Sequence, residues 1–226
     1  MRTIAVVIPV MNEEEIIASA LEQINSFKPQ PDEVIIVNNG STDKTYQILN
    51  DLKSAYNNLK VHTLAFPSIG KAQKLGLKNA KSDLVVMFDA DYIDEDFYGR
   101  AIKSKADVCV SSKRELGAED SRSPVRRLST FLFTKLSKII LNISISDTHG
   151  VKSFTKETIE KYIDNCGDAS HVFDTELIAR AEHGGAKIDV WPAKVKEVRP
   201  PRISIFKRAP IAIYELMRLR MRLNKR

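Results

Sequence analysis

Cysteine is scarce in this chain. Its 226 residues include only Cys109 and Cys166, isolated from each other and outside any C-x-x-C pair. That spacing argues against a disulfide framework and a structural zinc site, and it fits a reduced cytoplasmic compartment. Long apolar runs are missing too. Nowhere do about eighteen apolar residues follow one another, so no transmembrane helix is expected. The apolar start TIAVVIPV is short and runs into NEEE, which reads as a strand and not as a secretory signal. Aromatic residues make up 7% of the chain and offer no stacking platform, which argues against nucleic acid as a partner. No repeat, low-complexity segment or linker divides the sequence, so one substantial domain is expected.

What is present is a basic end on a nearly neutral body. The formal net charge is +6, and eight Lys/Arg against one Glu fall between Arg202 and Arg226. A local charge of this kind points to a local phosphate contact, with lipid headgroups favoured over RNA. The segment IAIYELMRLRMRLNKR is a basic amphipathic helix suited to an anionic membrane surface or to a docking partner.

Strand and helix patterns alternate through the first half. TIAVVIPV (3–10), EVIIV (33–37), LKVHTLA (59–65) and DLVVMF (83–88) read as strands. Between them, Ile16, Ile17, Ala20, Leu21, Ile24 and Phe27 recur at helical spacing. Further helices are expected near 43–55, capped by Ser41 or Thr42, and over 69–80. This alternation predicts an α/β fold with a mostly parallel sheet, whose ligands bind at the carboxyl ends of the strands. Further on, ADVCVSSKR (106–114) reads as a strand. A helix over 124–145 sets Leu128, Leu132, Leu136, Ile140 and Ile143 on one stripe. Residues 172–195 read as helix, Gly-Gly stop and strand.

The apolar strand VVMF ends in Asp89-Ala90-Asp91. Residues two apart in an extended segment face the same side, so two like charges stand together. Their repulsion is relieved by a hard divalent cation, Mg²⁺ or Mn²⁺, whose open positions would go to water and substrate phosphate. The plain alternative is a solvated acidic turn in DADYIDED.

VVIPVMNEEEII, DEVIIVNNGSTDKT, GKAQKLGL and DLVVMFDAD, in this order and spacing, resemble family 2 glycosyltransferases of the GT-A fold. Later stretches, SDTHGVKSF and FDTELIARAEHGGAKIDVWPAKVKEVRPPR, look like the dolichyl- or polyprenyl-phosphate mannosyl- and glucosyltransferases. The resemblance spans roughly residues 3–202. It implies a Rossmann-like GT-A domain over 1–202, with a nucleotide-sugar half (1–110), an acceptor half (111–202), and a basic tail over 203–226. It implies an inverting, metal-dependent hexosyltransferase, peripheral on the cytoplasmic face of a membrane. The donor would be a UDP- or GDP-sugar and the acceptor a polyprenyl phosphate. A soluble or saccharide hydroxyl acceptor is the alternative, and so is a catalytically degenerate scaffold. A nucleotidylyltransferase would want a Gly-rich basic loop where this chain has acidic PVMNEEE.

The same resemblance implies roles for individual residues. Pro9, Val10, Asn12 and Glu13 would line the nucleotide pocket, and Ala90 would sit there between the metal-binding Asp89 and Asp91. Asn38 and Asn39 stand where relatives usually carry acids, and Ile93 stands where polyprenol-linked relatives often carry a metal-joining Gln. Gly70 and Lys71 would meet the diphosphate, and Arg199 and Arg202, flanking PP, would form a flap over the donor. Lys113, Arg114, Arg126 and Ser129 resemble acceptor-phosphate contacts. Asp147, His149 and Lys152 would face sugar or acceptor. Asp174 and Glu176 would act on the acceptor or orient groups around it.

Overall fold

The protein is described by a computed structural model covering residues 2–167, 172–195 and 205–224. The first part of the chain alternates strictly: β1 (Ile4–Val10), α1 (Ile17–Asn25), β2 (Glu33–Asn39), α2 (Thr45–Leu52), β3 (Leu59–Leu64), α3 (Ile69–Asn79), β4 (Leu84–Met87) and α4 (Glu95–Lys103). The second part follows with β5 (Val108–Ser112), β6 (Glu119–Asp120), α5 (Pro124–Leu141), β7 (Lys152–Thr155), α6 (Lys156–Tyr162) and α7 (Phe173–His183). Then come β8 (Ile188–Pro192), β9 (Lys194–Val195) and α8 (Ile205–Asn224).

The described residues form a seven-stranded sheet in the order β3-β2-β1-β4-β7-β5-β8. Only β7 runs antiparallel to its neighbours, β4 and β5; the other pairs are parallel. The central strands β1, β2, β4, β5 and β7 are buried at every position, whereas the edge strands β3 and β8 are partly exposed. That difference follows from helices covering both faces of the sheet. Side chains alternate across it. Ile4, Val6, Ile8 and Val10 join α1, α2 and α4 on one face, while Ala5 and Val7 join α3, α6 and α7 on the other. Gly76 allows α3 to lie this close, because a Cβ there would meet Val7 Cγ1 at 2.4 Å.

The structure corrects several details of the sequence reading. Ser41 and Thr42 do not cap α2. Lys44 occupies the cap, and Asp43 Oδ1 accepts from Thr45 N at 3.0 Å. The acidic stretch after Asp91 is a helix start, because Asp94 Oδ1 accepts from Phe97 N at 2.9 Å and Phe97, Tyr98 and Ala101 bury one face of α4. Helix α6 was likewise not read from the sequence. The helix expected over 124–145 ends at Leu141, where Asn142 takes φ 55°, and Ile143 falls in the loop beyond. Leu136 and Ile140 pack against α8, but Leu128 and Leu132 stay exposed, so the stripe is divided between two surroundings.

The basic end is not a free tail. Leu216 and Leu219 of α8 are fully buried against Leu141, Ile143, Val172 and Ala179. Arg222 reaches the buried carboxylate of Glu176, Nη2 to Oε2 at 2.6 Å.

Candidate active site

The carboxyl ends of β1, β2 and β4 bring the nucleotide-side candidates together. Val10 pairs with Asn38, and Phe88 N donates to Val7 O at 3.1 Å, which sets Asp89 just beyond β4 and level with the end of β1. Pro9 and Val10 are buried at that rim. The loops after β1 and β2 are laced to each other. Asn12, at φ 56°, receives Thr42 N on Oδ1 at 2.8 Å and donates its own N–H to Ser41 Oγ at 3.0 Å. Glu13 N donates to Thr45 Oγ1 at 2.8 Å, and Lys44 N donates to Glu14 Oε2 at 2.8 Å. These links connect NEEE to NNGSTD and hold the rim in shape.

Asn38 and Asn39 are buried, and each spends its carbonyl oxygen on the backbone. Asn38 Oδ1 accepts from Ser41 N at 3.2 Å, and Asn39 Oδ1 accepts from Ser68 N at 2.6 Å. The second bond ties the β2 loop to the start of α3, where Lys71 is exposed in the first turn. Gly40 between them has φ 66°, and a Cβ would lie 2.9 Å from Pro67. A side chain is therefore excluded at this turn by both backbone and space.

Asp89 and Asp91 are both exposed beyond the buried Phe88, with Ala90 between them, and Tyr92 N closes the turn on Asp89 O at 3.0 Å. The protein mass around Asp89 pushes its carboxyl above the usual range, and Asp91 and Asp174 push the same way; Lys152 and Lys113 oppose them. Solvent reaches Asp89 from one side while protein surrounds it at longer range. Like charge concentrated there fits a divalent cation. Among the described residues no group of three or more His, Cys, Asp or Glu could hold a metal ion, so two carboxylates would be the protein's share. Ile93 packs against the core beside the turn. Neighbouring space, about 320 Å³, is lined by Tyr92, Asp94, Arg100, Ser111 and Trp191 among others.

The acceptor-side candidates separate into distinct groups. Lys113 Nζ pairs with buried Asp147 Oδ2 at 2.7 Å, and the Lys113 ammonium holds the Asp147 carboxyl below its usual range against burial. Lys152 Nζ pairs with buried Asp174 Oδ2 at 2.5 Å, and His149 Nδ1 lies 3.3 Å from the same oxygen. Burial opposes ionisation of Asp174, but Lys152 and His149 outweigh it and hold the carboxyl well below its usual range. Asp174 and Glu176, read as a pair, point apart, because residues two apart on a helix lie on opposite sides. Glu176 is engaged by Arg180, Arg222 and the Gly167 N–H.

Arg114 lies over the Phe131 ring at 5.0 Å, and Arg126 sits partly exposed in the first turn of α5. Arg199 and Arg202 lie outside the described residues. No local pattern signals the Lys113–Asp147 and Arg222–Glu176 pairs, since their partners are far apart along the chain.

A mostly parallel sheet flanked by helices, with an Asp-Ala-Asp turn and two interlaced loops on its carboxyl rim, is the architecture of the GT-A glycosyltransferases. Residues 5–163 match the family model "Glycosyl transferase family 2", and the chain belongs to that family. It is similar to glycosyltransferase AglD of Haloferax volcanii, at 25% identity over 84% of this chain and 32% of the relative. It is also similar to dolichyl-phosphate beta-glucosyltransferase ALG5C of Trichomonas vaginalis, at 29% identity over 88% of this chain and 65% of the relative. The chain thus spans about one third to two thirds of the length of these relatives. Among solved structures, glucosyl-3-phosphoglycerate synthase from Mycobacterium tuberculosis, in complex with Mn²⁺, uridine diphosphate and phosphoglyceric acid, has the same fold. The TM-score is 0.68 at 18% identity, covering 97% of this chain and 78% of that one.

Proposed function

We propose that the protein is an inverting glycosyltransferase that moves one hexose from a UDP- or GDP-sugar to a polyprenyl phosphate at a membrane surface. The observation that carries this reading is the convergence of the β1 and β2 loops with Asp89 and Asp91 on one rim, beside a separate acidic and basic cluster after β5. Asp89 and Asp91 would hold Mg²⁺ or Mn²⁺, which supplies positive charge for the departing diphosphate. Pro9, Val10, Asn12, Glu13, Asn38 and Asn39 would border the nucleoside, and Lys71, in the first turn of α3, would approach the diphosphate. The acceptor oxygen attacks the anomeric carbon from the face opposite the leaving group. The C–O bond to the nucleoside diphosphate breaks, and its electron pair leaves with the diphosphate.

The acceptor class draws support from the relatives named for dolichyl phosphate and from the outer faces of α5 and α8. Among the described residues no helix is long and apolar enough to cross a membrane. Helix α5 nonetheless exposes Val125, Leu128, Leu132 and Ile139, and carries four Lys/Arg and no acid. Helix α8, packed beside it, exposes Ile213, Tyr214, Met217 and Met221 with Arg218. Apolar side chains among basic ones suit a lipid surface.

Thermal-shift measurements with UDP- and GDP-sugars, with and without Mn²⁺, test the donor reading. One nucleotide should raise the melting temperature only with the metal, and Asp91→Asn should remove that shift. A metal-linked shift that survives in Asp91→Asn overturns the site. Ile93, half-buried against the core where polyprenol-linked relatives often carry Gln, favours a second reading as a degenerate scaffold. That reading gains if no nucleotide shifts the wild type.

A further inference from the structure

The cluster after β5 contains five charged or titratable groups, and only one of them faces outward. Asp147 and Asp174 are buried, and each is neutralised by a buried lysine, Lys113 and Lys152 respectively. His149 is 40% exposed. Its ring is fixed on two sides. Phe133 of α5 stacks on it with centroids 4.7 Å apart and planes 22° apart, and Asp174 of α7 engages Nδ1 at 3.3 Å. Its backbone is fixed as well, because His149 N donates to Asp147 Oδ1 at 3.0 Å. The following Gly150 lies against β5, where a Cβ would meet Ser111 O at 1.7 Å. The loop therefore sits on the rim between β4 and β5. Lys152, three residues on, pairs in register with Met87, two residues before Asp89.

A carboxylate only accepts hydrogen bonds, so Nδ1 must carry the proton shared with Asp174. This fixes the tautomer. In the neutral ring, Nε2 has a lone pair and no proton, and it would repel a phosphate oxygen. In the imidazolium, Nε2–H becomes a charge-assisted donor. The two Asp–Lys pairs cancel, so the imidazolium is the cluster's net positive charge. Asp174 is spent on Lys152, His149 and the Thr175 N–H, and serves as a positioning residue.

Building on the acceptor reading above, we infer that His149, oriented by Asp174, is the side chain that binds the acceptor phosphate, and that it does so as the imidazolium. The charged groups around it are Asp174 from α7, Lys152 from β7 and Asp147 within its own loop, with Lys113 behind Asp147 and Asp89 beyond β4 acting on the same lysines; α5 presents Phe133, which is uncharged. Attraction to phosphate is present at low pH and lost as His149 deprotonates. A hydroxyl acceptor would need the opposite state, because there Nε2 must take the hydroxyl proton.

Binding of farnesyl phosphate to the full chain should be measured by calorimetry at pH 5.5 and 8.5, with UDP- and GDP-sugar binding as the donor control. His149→Ala should weaken farnesyl phosphate about tenfold at pH 5.5. The ratio of wild type to variant should fall toward one at pH 8.5, which cancels the ligand's own ionisation. His149→Lys, charged at both pH values, should keep the affinity at pH 8.5. Donor affinity should not change in either variant. Equal farnesyl phosphate binding by wild type and His149→Ala at both pH values overturns the inference alone. A wild type that binds donor but not farnesyl phosphate overturns the acceptor reading and this inference together.

Discussion

At the residue scale, the buried charge pairs decide more than the exposed acids do. Lys152 and Asp174 are each nearly excluded from solvent and hold each other in place. Lys152→Met would leave a buried carboxylate without its main partner, and unfolding in urea should show a loss of about 3 to 5 kcal/mol. The Asp174 carboxyl is held below its usual range in the folded protein, so its contribution to stability is complete above the unfolded value of about 3.9. That contribution is lost as the pH falls toward the lowered native value. Acid titration of stability should therefore be steeper in the wild type than in Asp174→Asn. The sequence made Asp174 and His149 visible as polar residues near a helix start and a turn. Their meeting was not visible, because 25 residues and a change of strand direction separate them.

At the element scale, two features hold the site's framework. Gly40 closes the turn after β2, and Gly40→Ala should cost more than about 1 kcal/mol, since φ 66° and the Pro67 contact both oppose a side chain. Melting temperature and donor-induced shift should fall together in that variant. Helix α8 is the second feature. Leu219→Ala should cost about 3 kcal/mol by leaving a cavity against α5 and α7, while exposed Met217→Ala should leave denaturant stability nearly unchanged. The basic, amphipathic character of α8 was legible in its spacing, but not which stripe would be buried. That depended on Leu141, Ile143 and Val172 arriving from elsewhere. Helix α4 escaped the sequence reading for the opposite reason. Its acids mark a helix start as readily as a solvated turn, and only Asp94 bonding to Phe97 N decides between them.

At the scale of the whole molecule, α5, whose Phe133 stacks on His149, and α8 packed beside it both expose apolar and basic side chains. Sedimentation with vesicles should show binding to anionic lipid that weakens with salt, and little binding to neutral lipid. Leu128→Ser combined with Leu132→Ser should reduce it with no loss of stability, because both residues are exposed. Equal binding of the double variant would remove α5 from the membrane face.

The sequence by itself determined the order of strands and helices from β1 to β4, the buried character of the central strands and the acidic turn after β4. These are local properties: periodicity, turn residues and a run of apolar side chains need no distant partner. It also placed the loops of β1 and β2 on one rim, because parallel strands joined by helices share an orientation. Only the tertiary structure decided the antiparallel insertion of β7, the docking of α8 and the pairing of each buried carboxylate with its lysine or arginine. Those depend on which distant segments become neighbours, and burial then makes an unpaired charge too costly to leave alone.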